Sequence, residues 1–179
     1  DVLVASTGVI GVELPMALIK TGIGKIQITE DGGHDMARAI LTTDTHTKEI
    51  AVSFDAGSGV EVTIGGIAKG AGMIHPDMAT MLSFLSTDAD VDTAFLQKCL
   101  NDVSDVTFNM ISVDGDTSTS DTVAILANGQ AGNETIMEGS PSAKAFEDAL
   151  GEVSLYLAKQ IARDGEGATK LIAIRVEKA

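Results

Sequence analysis

Hydrophobic and polar residues alternate, or apolar residues run together, in several short stretches separated by turns rich in glycine and hydroxyl groups. Stretches of this kind indicate strands with one or both faces buried. We therefore predict strands over residues 2–5, 49–54, 60–67, 122–127 and 171–176, one that begins at Thr80, and one that starts at Phe108 and breaks into an acidic turn.

Helical spacing of apolar residues is clearest over residues 142–163, which we predict to form the longest helix. Shorter helices are predicted over residues 14–20, 35–41 and 93–103, the last behind an aspartate-rich turn that offers N-cap residues. Because strands and helices are mixed along the chain, we predict an α/β (α+β) protein with stacked β-sheets flanked by helices. The apolar stripe of the longest helix, which we expect in the core, consists of Phe146, Leu150, Val153, Leu157 and Ile161.

Length and composition indicate how many domains the chain forms and which classes of partner are excluded. With 179 residues, of which 44% are hydrophobic, we expect one compact domain over residues 1–179. The formal net charge of −14 argues against a nucleic-acid partner, which needs a Lys/Arg surface, and against an anionic membrane surface. No apolar run approaches the length that spans a bilayer.

Cys99 is the only cysteine, and its apolar neighbours at helical spacing predict that it lies in the core. A single cysteine allows no intrachain disulfide, which suits a reducing cytoplasm. The first residues lack the basic region of a signal peptide, and the chain opens in mid-strand without a methionine. We expect a cytoplasmic protein of which this chain is the central fragment.

The segment from Lys69 to Asp88 combines a glycine-interrupted loop, a proline and an apolar run that begins at Thr80. Thr80, Leu82 and Phe84 share one face of an extended chain, so Thr80 opens a largely buried strand. A hydroxyl at the mouth of such a strand, with a lysine earlier in the same loop, is a candidate nucleophile. A β-branched residue that only starts a strand accounts for the same pattern.

Three further turns carry polar groups. STGVIG at residues 6–11 connects a strand to a helix, and such a turn either presents N–H groups to an anion or only needs small residues. TTDT at residues 42–45 is a hydroxyl-rich turn of a common kind. Glu166 stands between two glycines, where it is either a solvated turn residue or a carboxylate held close to a ligand.

A calcium loop is one interpretation of the acidic, hydroxyl-rich turn at residues 114–121. The spacing of its ligands does not fit an EF-hand, because Thr119 occupies the glycine position and Ile125 the position of the closing glutamate. We therefore predict no bound metal, and we interpret this turn as support for the fold or for the active site.

Five segments, in order and over nearly the whole chain, resemble the ornithine acetyltransferase (glutamate N-acetyltransferase) family of arginine biosynthesis. KGAGMIHPDMATML at residues 69–82 is similar to the segment at which members of that family cleave their own chain. The other four are STGVIG, TTDT, FN-x-ISVDGDTST and DGEGATK. The resemblance implies stacked sheets between helices, reminiscent of N-terminal-nucleophile hydrolases, and a protein that is longer at both ends.

The resemblance also implies roles for individual residues. The chain would break between Ala79 and Thr80, and Thr80 would then be the nucleophile that carries the acyl group. Thr7 and Gly8 would form the oxyanion hole. The residues implied to contact substrate are Thr43, Lys69, Thr80 and Glu166.

The implied activity moves an acetyl group from N2-acetylornithine to glutamate through an acetyl-threonine intermediate. No metal or organic cofactor is implied, and acetyl-CoA stays open as a further acetyl donor. The implied partners are these small molecules, the second chain of the cleaved pair, and further copies of that pair in a homo-oligomer.

Two other functions stay open. A self-processing amidase or peptidase would use the same Thr80 but hand the acyl group to water. A non-catalytic, acidic binding module would contain Thr80 only as a strand residue. An acceptor assay separates the first from a transferase, and the intact mass after expression separates the second.

Overall fold

The computed structural model describes residues 2–75 and 81–178. It contains a mixed α/β arrangement in which a four-stranded sheet is flanked by helices. The helices are α1 (Met16–Ile23), α2 (Gly32–Ala39), α3 (Thr93–Asp105) and α4 (Ala143–Arg163), and a 3-10 turn covers Phe108–Met110. The strands are β1 (Lys48–Asp55), β2 (Glu61–Lys69), β3 (Leu82–Thr87) and β4 (Thr122–Ala127).

The sheet has the order β1-β2-β3-β4. The first three strands are antiparallel neighbours, whereas β3 and β4 are parallel and are joined by a connection that contains α3. The register pairs Lys48 with Ala68, Lys69 with Leu82, and Leu82 with Thr122. The starts of β1, β3 and β4 and the end of β2 therefore meet at one edge, which we call the loop edge.

Helix α4 covers one face of the sheet. Its predicted apolar stripe is confirmed, because all five side chains are fully buried. The helix lies close to the sheet at Gly66, where an added Cβ would come within 2.5 Å of Leu85 and 2.9 Å of Val153 and Leu157. Only a residue without a Cβ allows this approach.

Helix α3 packs beside α4. Asp92 caps it as the sequence predicts, since its carboxylate accepts a hydrogen bond of 2.9 Å from the Phe95 amide. The prediction for Cys99 is confirmed as well: the thiol is buried in the core, and burial raises its pKa to about 11. A thiol with this pKa is protonated at neutral pH and is a poor nucleophile.

The opposite face of the sheet carries a cavity of about 850 Å³. Apolar side chains from the sheet, from α2 and from the N-terminal segment line it, among them Leu3, Met36, Ile67, Phe84 and Leu126. The described residues form a single sheet, so the second, stacked sheet stays a prediction. No helix within residues 2–75 and 81–178 is both long and apolar enough to cross a membrane.

Three predicted strands are wrong. Residues 2–5 and 171–176 are not strands, and their apolar side chains are largely exposed, with Val2 at 90% and Ile174 at 86%. A strand needs a neighbouring backbone to satisfy its N–H and C=O groups, and neither segment has one within the described residues. The segment that begins at Phe108 forms the 3-10 turn instead of a strand. One backbone hydrogen bond, from the Val113 amide to the Ile74 carbonyl, then joins it to a neighbouring segment, which is too few for a strand.

The other boundaries differ by a few residues. Helix α1 begins at Met16, two residues later than predicted, with Pro15 at its N-cap, and none of its residues is buried. Helix α2 covers Gly32–Ala39, so it begins three residues earlier and ends two residues earlier than predicted. The strands predicted over residues 49–54, 60–67 and 122–127 are confirmed, and β2 continues to Lys69, two residues beyond its predicted end.

Candidate functional site

Three loops meet at the loop edge of the sheet. The first, residues 40–47, enters β1; the second, residues 70–75, leaves β2; the third, residues 164–168, leaves α4. Their approach brings together sequence positions about a hundred residues apart. The first and third loops enclose a cavity of about 430 Å³.

Thr43 and Glu166 are in direct contact. The Thr43 hydroxyl donates a hydrogen bond of 2.5 Å to Glu166 Oε1. The Glu166 amide in turn donates to the Ala71 carbonyl at 2.7 Å, which fixes the third loop against the second. Gly72 has no side chain at this point, and a Cβ there would lie 2.8 Å from the Glu166 carboxylate. Two residues that the family resemblance implies for substrate binding thus share one site.

Lys69 is the last residue of β2 and is only 3% exposed. Burial is the largest effect on its pKa, which it lowers, and the carboxylates of Asp44, Asp121 and Glu166 oppose that change. Its Nζ forms no ion pair or hydrogen bond with the residues that the structure describes. A buried ammonium of this kind favours an anionic ligand, such as the carboxylate of an amino acid.

Asp121, just before β4, is a residue to which the sequence assigns no chemical role. Its Oδ1 accepts a hydrogen bond of 2.8 Å from the Met81 amide, the nitrogen of the peptide bond that follows Thr80. Its Oδ2 is buried and has no hydrogen-bond partner among the described residues. Burial raises the pKa of Asp121 to about 6, although the Met81 amide and the charge of Lys69 act in the opposite direction.

The acidic turn supports the second loop. Asp114 accepts hydrogen bonds from the amides of Met73 at 2.6 Å, Ile74 at 3.0 Å and Asp116 at 3.1 Å. Burial alone would raise the pKa of Asp114, but these amides outweigh it and lower the pKa. Met73 adopts a left-handed backbone, with φ of 57°, which this contact holds in place. The interpretation of the turn as support is confirmed by these contacts.

A buried ion network lies behind the site. Lys48 Nζ pairs with Asp44 at 2.7 Å and with Asp164 at 2.6 Å. Thr45 binds Asp164 through both its amide and its hydroxyl. The sequence shows no sign of the contacts that Asp164 makes with Lys48 and Thr45, because they join residues 116 and 119 positions apart. Among the described residues, no group of three or more His, Cys, Asp or Glu side chains is arranged to hold a metal.

The four other site residues that the family resemblance implies are Ala79, Thr80, Thr7 and Gly8. Ala79 and Thr80, the implied cleavage pair, lie outside the described residues. Thr7 is half-buried and Gly8 is exposed in the segment before α1. No hydrogen bond within the described part of the chain joins Thr7 or Gly8 to the three loops, and their role in an oxyanion hole stays a prediction.

Comparison with known proteins adds evidence that covers the whole chain. The model of the ArgJ family matches residues 1–179. The arginine biosynthesis bifunctional protein ArgJ of Symbiobacterium thermophilum is 58% identical over 98% of this chain and 44% of its own length. The protein of the same name from Lactococcus lactis is 54% identical over 100% of this chain and 45% of its own length.

A crystal structure supports the same relationship. The arginine biosynthesis bifunctional protein ArgJ of Bacillus halodurans superimposes with a TM-score of 0.50 and 54% sequence identity, over 51% of this chain and 43% of that one. The present chain spans less than half the length of the relatives it matches. The match over all residues and the identity above 50% together show that the chain belongs to the ArgJ family.

Proposed function

We propose that the protein to which this chain belongs is an acetyltransferase of arginine biosynthesis. It moves an acetyl group from N2-acetylornithine to glutamate through an acetyl-Thr80 intermediate. Membership of the ArgJ family supports this proposal, since the relatives are named as arginine biosynthesis bifunctional proteins. The observation that carries it is the contact of Thr43 with Glu166 against the loop that follows the buried Lys69.

That arrangement suits amino-acid substrates. Acetylornithine and glutamate share an α-carboxylate, which the buried ammonium of Lys69 holds by a charge-assisted bond. Their side chains differ in charge, so no single fixed charge suits both. The carboxylate of Glu166 attracts the side-chain ammonium of ornithine, while neighbouring hydroxyls such as that of Thr43 bind the side chain of glutamate.

Thr80 becomes the nucleophile by cleavage of its own chain. Its hydroxyl oxygen attacks the Ala79 carbonyl carbon, the C–N bond breaks, and the acyl group passes to the oxygen while the nitrogen takes the proton. Water then hydrolyses the ester and frees the hydroxyl and the α-amine of Thr80. An α-amine has an unperturbed pKa of about 8, so the neutral form can accept the proton of its own hydroxyl.

Transfer follows in two half-reactions. Thr80 attacks the acetyl carbonyl of acetylornithine, Thr7 and Gly8 stabilise the oxyanion, and ornithine leaves once its nitrogen takes the proton. The amine of glutamate then attacks the acetyl ester and releases Thr80. This route uses no metal and no organic cofactor, and acetyl-CoA stays open as a second donor.

We further propose that both products of cleavage stay together as a pair, that several pairs form a homo-oligomer, and that the enzyme works in the cytoplasm. Chain beyond the present residues contributes to the complete site. The two carboxylates of glutamate and the charges of ornithine need more polar groups than these three loops supply.

The experiment uses the full-length protein. We expect intact mass and N-terminal sequencing to find a chain that begins at Thr80, and steady-state rates with both substrates to follow ping-pong kinetics. Thr80→Ala should abolish both cleavage and transfer. Two normal fragments from Thr80→Ala would contradict the role of the nucleophile. Acetate released equally with and without glutamate would identify an amidase, and an intact, inactive wild-type chain would favour a binding module.

A further inference from the structure

Lys48 is a fully buried ammonium at the loop edge that the proposed chemistry does not use. Its side chain is 0% exposed, and so is that of Asp44, while that of Asp164 is 4% exposed. Lys48 Nζ also reaches the carbonyl of His46 at 3.5 Å. A charge removed from water this completely is tolerated only where partners satisfy it, and two carboxylates do so here.

The two carboxylates bind all three loops of the site. Asp44 Oδ1 accepts a hydrogen bond of 2.7 Å from the Gly70 amide, which joins the first loop to the second. Asp164 Oδ2 accepts one of 2.9 Å from the Thr45 amide, which joins the third loop to the first. Lys48 lies between these carboxylates and connects the two links.

Each link is next to a residue that we assign to substrate. Asp44 follows Thr43 directly, Gly70 follows Lys69 directly, and Asp164 precedes Glu166 by two positions. A shift of either carboxylate therefore moves a substrate contact. His46 Nδ1, which lies 3.4 Å from Asp164 Oδ1, is a second contact between the first and third loops, whereas the Lys48 network also reaches the second loop through Asp44 and the Gly70 amide.

Both carboxylates stay ionised over the working range of pH. Burial alone would raise the pKa of Asp164, but the bonds from Lys48 and Thr45 outweigh it and lower the pKa to about 2. The pKa of Asp44 is lowered in the same way, since the Gly70 amide, Lys48 and the Thr42 amide outweigh its burial. Lys48 Nζ thus faces two carboxylates, each with a pKa lowered by its hydrogen bonds.

Stability alone is a weak reason for such a network. Buried ion pairs can often be replaced by apolar residues of similar size without loss, because the cost of removing the charges from water offsets their attraction. What apolar packing does not supply is a fixed direction for each loop. Hydrogen bonds to charged groups set distances and angles that a hydrophobic contact leaves free.

We propose that Lys48 is a positioning residue: through Asp44 and Asp164 it sets the spacing of Thr43, Lys69 and Glu166 that selects amino-acid substrates. This inference rests on the proposed function, because it concerns the same site. It predicts that the loss of Lys48 weakens the recognition of charged substrates while the nucleophile stays competent.

The test compares two acetyl donors in the cleaved, full-length enzyme. Acetylornithine needs the positioned residues, whereas p-nitrophenyl acetate, which carries no carboxylate or ammonium, needs only the nucleophile. We expect Lys48→Met to raise the KM for acetylornithine about tenfold and to change acylation by p-nitrophenyl acetate less than about threefold. Lys144→Met, at an exposed lysine paired with Asp148, is the matched control and should change neither.

A double-mutant cycle separates positioning from general damage. Glu166→Gln alone should lower kcat/KM for acetylornithine about tenfold, but less than about threefold in the Lys48→Met background, where Glu166 is already displaced. In the Lys144→Met background it should keep its full effect. Additive losses, or equal losses with both donors, would overturn the positioning role.

A second variant is needed if Lys48→Met does not fold, because that change leaves two buried carboxylates facing each other. Asp164→Asn keeps the side-chain shape and the pair of Lys48 with Asp44, and it should give the same donor selectivity and the same coupling with Glu166. If it gives neither, the inference is wrong. A wild-type enzyme that forms no acetyl-Thr80 from either donor would contradict the proposed function instead.

Discussion

Gly72 leaves the space that the carboxylate of Glu166 occupies: a Cβ at position 72 would lie 2.8 Å from Cδ and from Oε1 of Glu166. The two residues are ninety-four positions apart, and they meet because the Glu166 amide binds the Ala71 carbonyl. The absence of a side chain at one position therefore sets the location of the charge at the other.

Gly72→Ala should impair substrate binding more than stability. The exposed Glu166 side chain can move away from the new methyl group at little cost, but its carboxylate then leaves the Thr43 hydroxyl. We expect the KM for acetylornithine to rise about tenfold, the effect of one charge-assisted bond. The measurement is the first half-reaction, followed beside thermal unfolding.

Gly66→Ala is the matched control, and it should lower stability more than substrate binding. A methyl group there meets Leu85, Val153 and Leu157 within 2.9 Å, in the packed core between sheet and helix. Overpacking of this kind costs about 1–3 kcal/mol of unfolding free energy. A Gly72→Ala enzyme that unfolds as readily as Gly66→Ala and keeps its KM would contradict the account of Glu166.

Asp121 should make stability fall as the pH rises through weakly acidic values. Its pKa is about 6 in the fold, against an ordinary 3.8, so the folded state binds the proton more tightly. Its contribution is present below pH 3.8 and is lost as the pH rises to about 6, by on the order of 3 kcal/mol. Asp121→Asn removes this contribution, and its stability relative to the wild type should rise over that interval.

Urea unfolding at several values between pH 3 and pH 7 measures the effect. Other carboxylates titrate in both proteins and cancel in the difference. Asp114→Asn serves as the control of opposite sign, because the pKa of Asp114 is lowered in the fold. If the unfolding free energies of the wild type and of Asp121→Asn change with pH in parallel, the pKa of Asp121 is not raised in the fold.

The elements that the sequence predicts well are those whose own pattern fixes their environment. The stripe of α4 and the alternation of β1, β2 and β4 need only one apolar surface to pack against, and that surface is present. Residues 171–176 have the same apolar character but form no strand. Hydrophobic pattern indicates burial, whereas a strand also requires a partner backbone.

The residues of the candidate site also fall into those that the sequence predicts and those that it misses. Thr43, Lys69 and Glu166 follow from the resemblance of short segments to a family, and the structure brings their loops together. Lys48 and Asp121 are missed, because Lys48 reaches Asp164 and Asp121 reaches Met81 across 116 and 40 positions, and a single sequence does not show which loops meet. Segment resemblance implies which residues contact substrate, and the three-dimensional structure is needed to find the residues that hold their loops in place.

Thr7→Ala should slow acyl transfer by about 10²-fold, the usual cost of one oxyanion donor. Little stability should be lost, because Thr7 belongs to no helix or strand. Ser6→Ala, at the exposed neighbouring hydroxyl, is the control and should keep its rate. Single-turnover acylation by p-nitrophenyl acetate measures both. A folded Thr7→Ala enzyme with an unchanged rate would remove Thr7 from the oxyanion hole.

Lys69 and Glu166 should divide the recognition of the two substrates. Lys69→Ala removes the ammonium that both α-carboxylates need, so both half-reactions should slow by one to two powers of ten, from about 1.5–3 kcal/mol for a charged hydrogen bond. Glu166→Gln should weaken mainly the deacetylation of acetylornithine, since only ornithine offers a side-chain ammonium.

If Lys69 and Glu166 were only two solvated surface charges, their replacement would have almost no kinetic effect. The burial of Lys69 already contradicts that alternative for one of them. Each half-reaction is measured separately, by formation of acetyl-enzyme and by its discharge to glutamate. Equal effects of Glu166→Gln on the two would defeat the division of roles, because a carboxylate that serves only as a structural partner of Thr43 does not distinguish ornithine from glutamate.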